Sequence, residues 1–207
     1  MAALATLPLL VAACSSGSSP SAASSTPPPF TAPAPGVTLP PDALSKLVPL
    51  PDEVPAGMVL VVKGSGPRDL QTVAGYSGSG ASAAQAIAAA AAKLRAHGFQ
   101  KAYVAQYVNT ATGAVLSVVA SRYASAAGAT ADYTDDTKDT AGAVTKIAPV
   151  GEASSATITT VQGSVKAQLL LLRFRKGTVT WSLAYQASPT ADPEVAVGLA
   201  QKLVARA

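Results

Sequence analysis

Cysteine and histidine each occur once in the 207 residues, as Cys14 and His97. A single thiol cannot close an intramolecular disulfide, so the fold has to rest on its core. One Cys and one His do not make a zinc site, which takes three or four such ligands. A Ser-His-Asp triad would have to use His97. That residue stands at the end of a helical pattern beside Gly98, where favouring the negative helix terminus is role enough. No Ser lies three residues before a Lys, which removes a penicillin-binding type of site. In Gly75-Tyr76-Ser77-Gly78-Ser79-Gly80 neither Ser has Gly two residues away on both sides, so there is no nucleophile elbow. The same tract lacks the Gly-Lys-Ser/Thr of a phosphate-binding loop. No catalytic residue and no cofactor is assigned, and the expectation is a non-enzymatic protein.

Charge is also sparse. Asp, Glu, Lys and Arg make up 13% of the chain, and all of them lie beyond residue 41. The net charge of +4 is scattered. Without a Lys/Arg block it argues against nucleic acid as a partner and fits weak attraction to anionic lipid or a wall polymer. The densest acidic group is Asp132, Asp135, Asp136 and Asp139. On a helix that spacing puts several carboxylates on one face, and hard cations take such oxygens. The order and the Gly of a calcium-binding loop are missing and Lys138 lies inside the group. A solvated helix face is therefore expected, and no metal. Aromatics amount to 5%. Tyr103 and Tyr107 alternate on one strand pattern, and Trp181 and Tyr185 on another, where core positions are expected.

What is present divides the chain in three. Residues 2–13 are uncharged and apolar but shorter than the roughly 20 residues that span a bilayer. They have the length of a secretory core followed by small residues, so 1–13 reads as a signal peptide. Residues 14–40 are low in complexity, first Ser/Ala and then Pro-rich, with too few apolar side chains to repay chain entropy. They read as a mobile tether. Residues 41–207, about 165, are one domain by length.

Within that domain, a helical turn is expected near residues 41–48 and strands at 58–62 and 70–76. A helix over 82–97 has a capping-box pattern at Ser82 and Gln85 and Gly98 just past its end. Strands at 101–108 and 114–123 flank a turn at 109–113, and a helix capped by Ser125 runs to about Thr140. Strands follow at 157–162, 165–175 and 178–187, the last two joined by a two-residue turn at Lys176-Gly177. Asp192-Pro193-Glu194 opens a final helix with Val195, Leu199 and Leu203 as its buried stripe. The sum is α+β: an antiparallel sheet of about five to seven strands with helices packed mainly on one face. Pleat alternation puts Leu170, Leu172, Phe174, Trp181 and Leu183 on the helix-covered face. It leaves Arg173, Arg175, Thr178, Thr180 and Ser182 on an open one. Arg173 and Arg175 are thus the candidate partner surface.

The junction at Val11-Ala12-Ala13-Cys14 resembles a bacterial lipoprotein signal, an aliphatic residue and two small ones before Cys, and every position matches. The resemblance implies cleavage before Cys14, acylation of that residue, and a protein held on the extracytoplasmic face of the cell membrane. Two or three acyl chains give stable anchoring where one does not. Residues 41–207 are also similar to a broad group of actinobacterial secreted lipoproteins of unknown function. The likeness lies in 94–99 (LRAHGF), 122–129 (RYASAAGA), 150–153 (VGEA) and 174–179 (FRKGTV). It implies a binding or sensor-like role and brings no catalytic residues. Two readings result, with an envelope hydrolase as a remote third. One is a lipid-anchored module that binds an envelope protein or polymer. The other is a carrier holding a lipid or other apolar molecule between helix and sheet.

Overall fold

The computed structural model describes residue 39 and residues 42–138, 142–162 and 166–207. The signal peptide, the lipobox Val11-Ala12-Ala13-Cys14 and nearly all of the tether lie outside the described residues, as does Asp139.

The chain forms an eight-stranded, wholly antiparallel sheet with helices on its faces, the expected α+β class. The strands are β1 (Val59–Leu60), β2 (Gly66–Arg68), β3 (Phe99–Asn109), β4 (Ala114–Tyr123), β5 (Ala143–Val144), β6 (Ala153–Val161), β7 (Ala167–Lys176) and β8 (Val179–Ala187). Their order is β1-β3-β4-β8-β7-β6-β5, with β2 also paired to β3. The helices are α1 (Leu70–Gly75), α2 (Ala83–Ala96), α3 (Ala126–Lys138) and α4 (Pro193–Ala205). The strand count exceeds the expectation because short pieces at 66–68 and 143–144 add to the two edges.

Local chemistry explains the long hairpins. Between β3 and β4, the Asn109 carboxamide oxygen accepts from the backbone N–H of Ala111 (3.0 Å) and Thr112 (3.1 Å). Gly113 then takes φ +71° and donates to the Asn109 carbonyl, an arrangement that asparagine and glycine are suited to form. Between β7 and β8 the two-residue loop is Gly177-Thr178, since Lys176 pairs with Val179. The expected loop was one residue earlier, because Gly177 was placed at its end. With φ +56° the glycine opens the turn instead. Phe174 therefore faces Trp181, and Leu172 faces Leu183. The shift is two residues along the partner, so the faces keep their assignment.

Other expectations change. The expected strand at 70–76 is instead the helix α1 (Leu70–Gly75), because the Asp69 carboxylate caps the turn by accepting from Thr72 N–H at 2.8 Å. Ser82 makes no side-chain cap to α2, which is entered through a tight turn at Gly80–Ser82. Gly98 does end α2, at φ +72°. In α4, Asp192 caps by accepting from Glu194 N–H at 2.9 Å. The buried stripe of α4 is Ala196, Val197, Leu199, Ala200 and Leu203, with Val195 exposed.

The main core lies on the sheet face bearing Tyr103, Tyr107, Leu116, Leu170, Leu172, Phe174, Trp181 and Leu183. It is covered by α4 and by Leu44, Leu47 and Val48 from the turn at Ser45–Leu47. Phe174 and Trp181 stack with ring centroids 5.0 Å apart. The indole N–H donates to the Leu47 carbonyl at 2.8 Å, and the Tyr107 hydroxyl donates to the Pro49 carbonyl at 2.6 Å. The opposite face carries a smaller cluster of Phe99, Ala102, Tyr123 and Ala129, packed with Leu70 and Val73 of α1 and Leu94 of α2.

Candidate functional site: the polar seam beneath α3

The second sheet face is not open. α3 lies across β4, β7 and β8, and the Arg173 and Arg175 side chains beneath it are only 18% exposed. The expectation that this face is open is thus corrected. The pleat alternation was right, but a polar helix covers them. Arg173 Nε stands 3.7 Å from Asp136 Oδ2. Arg175 pairs with Glu152, whose carboxylate also accepts from Gly177 N–H at 3.1 Å. That second pair ties the bend before β6 to the β7–β8 turn.

α3 is held at its start by Ser125, whose hydroxyl accepts from Gly128 N–H at 3.1 Å. Its only fully buried residue is Ala129. The rest of its sheet-facing side is polar. Asp132, 13% exposed, accepts from the Thr180 hydroxyl of β8 at 3.2 Å and is hydrogen-bonded to the Tyr123 phenol of β4. His97, at the C-terminus of α2 and 14% exposed, places Nδ1 3.9 Å from Asp132 Oδ1. Its Nε2 lies 3.5 Å from Asp135 Oδ2. Asp135 also receives Lys93 of α2 and Lys138, both at 3.3 Å.

The electrostatics follow from these contacts. Burial, with Asp136 one turn away adding like charge, pushes the Asp132 carboxyl up to about 6; Tyr123, Thr180 and His97 oppose the rise. Burial followed by the Asp132 charge pushes the Tyr123 phenol up, which keeps it a neutral donor. For Asp135, burial would raise the carboxyl, but Lys138 and Lys93 together hold it below the usual range.

The seam is a cluster of polar and ionisable groups shared by α2, α3 and three strands of the sheet. The carboxylates that the helical spacing grouped together are divided. Asp132 turns to the sheet, Asp135 to α2 and Asp136 to Arg173. Among the described residues no three or more His, Cys, Asp or Glu side chains come together as a metal site would require. Sequence reasoning had Asp132 and Arg173 but did not join them. The signal was complementarity: acids at Asp132 and Asp136, one helical turn apart, against Arg173 and Arg175 alternating on one strand face.

Two surface depressions lie elsewhere. One is lined by Pro67, Arg68, Asp69, Thr72, Gln100 and Lys101. Its cations are engaged, Arg68 with Tyr76 Oη and the Gly64 carbonyl, Lys101 with Asp42. The other runs along residues 144–156 beside β6. Neither includes His97 or Asp132, and neither lies between α4 and the sheet.

No family model matches the chain, and no curated protein matches it. Among solved structures, it is similar to the extracellular domain of PknH from Mycobacterium tuberculosis. The identity is 14%, the TM-score is 0.44, and the match covers 56% of this chain and 68% of that one. Among the described residues no helix is long and apolar enough to cross a membrane.

Proposed function

We propose that this chain is a bacterial lipoprotein, a domain held at the extracytoplasmic face of the membrane through acyl chains on Cys14, and that it works by binding and not by catalysis. The observation that carries the reading is the order of segments. An apolar stretch ends in Val11-Ala12-Ala13-Cys14, a Ser/Pro tract follows, and then comes a domain in which Leu44 is already core. A partner in the envelope, protein or polymer, is the expected target. The chain's one imidazole faces carboxylates of its own α3.

Expression in a host that processes lipoproteins tests the anchor. The wild-type protein should fractionate with membranes and carry an acyl mass on residue 14. Cys14→Ser should move it to the soluble fraction or leave it uncleaved. Absence of any acyl mass on wild-type Cys14 would sink the reading.

A further inference from the structure

α3 is a weak helix by composition and buries little. Its sequence includes Gly128 and three Thr residues, poor helix formers. Each Thr hydroxyl bonds back to a carbonyl four residues earlier, at 2.8 Å, a habit that favours bent or weak helices. Where α4 buries five side chains, α3 buries only Ala129. The hold of α3 on the sheet is therefore mainly polar. Every charged or titratable group that faces it takes part: His97 and Lys93 from α2, Tyr123 from β4, Arg173 and Arg175 from β7. On α3 itself stand Asp132, Asp135, Asp136, Lys138 and Tyr133. Thr180 of β8 adds its hydroxyl.

We propose that α3 is an acid-tightened latch: protonation of Asp132 seats it on the sheet, and near-neutral pH loosens it over Arg173 and Arg175. The sign follows from burial. Seated, Asp132 lies in a desolvated seam beside Asp136; with α3 lifted it is a solvated carboxylate. Its seated value of about 6 lies above the ordinary 3.8. A group raised on docking opposes docking once ionised, so the penalty is full above that value and fades as pH falls towards the ordinary one. Asp136 is also raised, by burial against the pull of Arg173 and Lys93, and adds to the effect of Asp132; Asp135 has the opposite sign, but its window lies below the ordinary carboxylate value, outside the range that matters here. The latch does not depend on the anchor, and it gives the covered Arg pair a condition under which a partner reaches it.

Amide hydrogen exchange of the intact domain, corrected for the intrinsic pH dependence, tests this. Protection across α3 should rise about tenfold between pH 7.5 and pH 5, with α4 as an unmoved internal reference. Asp132→Asn keeps the shape and removes the charge, so it should raise α3 protection at pH 7.5 and flatten the pH response. His97→Gln should keep most of the slope. Equal α3 protection at both pH values would overturn the latch. So would a slope undiminished in Asp132→Asn, or one that disappears only in His97→Gln.

Discussion

Trp181 joins three parts of the molecule through one side chain. It is 2% exposed, stacks on Phe174 of the neighbouring strand, and donates its N–H to the Leu47 carbonyl of a segment more than a hundred residues earlier. Truncation removes a large apolar volume that its neighbours on two strands cannot refill, and it strips a buried carbonyl of its donor. Trp181→Ala should cost about 3–5 kcal/mol of unfolding free energy. Urea unfolding followed by far-ultraviolet circular dichroism would measure it. A loss below about 1 kcal/mol would mean that this sheet face is not the core the packing describes. Residues on the other face have another character: Asp132 and Thr180 are placed by their hydrogen bond to each other and by Tyr123, whose ring is itself packed against Phe99.

At the scale of elements, two helices respond in opposite senses to the same substitution. Alanine favours a helix interior over glycine by about 1 kcal/mol. At Gly198 in α4 nothing lies within 4 Å of where a methyl would go, so Gly198→Ala should stabilise by about 0.5–1 kcal/mol. At Gly128 in α3 the methyl would land on the His97 carbonyl oxygen. Backbone cannot yield as a side-chain tip can, so Gly128→Ala should destabilise by about 1–3 kcal/mol despite its better propensity. Chemical denaturation of both variants beside the wild type checks the contrast. That close approach is where α2, ending at His97 and Gly98, meets the first turn of α3. The strands from 99 to 123 and from 167 to 187 were legible in the sequence because one sheet face is apolar and alternation with turn residues marks it. α4 was legible from Asp192 and Pro193, although Val195 points outward and alanines share the buried stripe. The seat of α3 was not legible. Hydrophobic patterning sees burial of apolar side chains, and α3 turns acids towards arginines, so its charges read as a solvated face. α1 was missed for a related reason: one aspartate cap outweighs a short run that could pass for a strand.

On the scale of the whole molecule, the segment just after the tether belongs to the core. Leu44, Leu47 and Val48 are buried under α4. Arg206 clamps the segment by donating to the Lys46 carbonyl at 3.1 Å and pairing with Glu53, and Lys101 reaches Asp42 at 3.0 Å. Since domain stabilities amount to only about 5–15 kcal/mol, losing three buried apolar side chains and these bonds should be decisive. A chain starting at residue 54 should lose its cooperative thermal transition, and retention of one with unchanged midpoint would refute the role given to this segment. The same architecture has an optical consequence. Trp181 is the sole tryptophan, and its ring lies on the α4 side of the sheet against the Leu47 carbonyl. Its fluorescence should therefore be blue-shifted while residues 44–48 are seated and move to the red when they detach. Because α3 lies on the far side, that emission should stay constant as the polar seam opens, so light reports on one face of the sheet while the other moves.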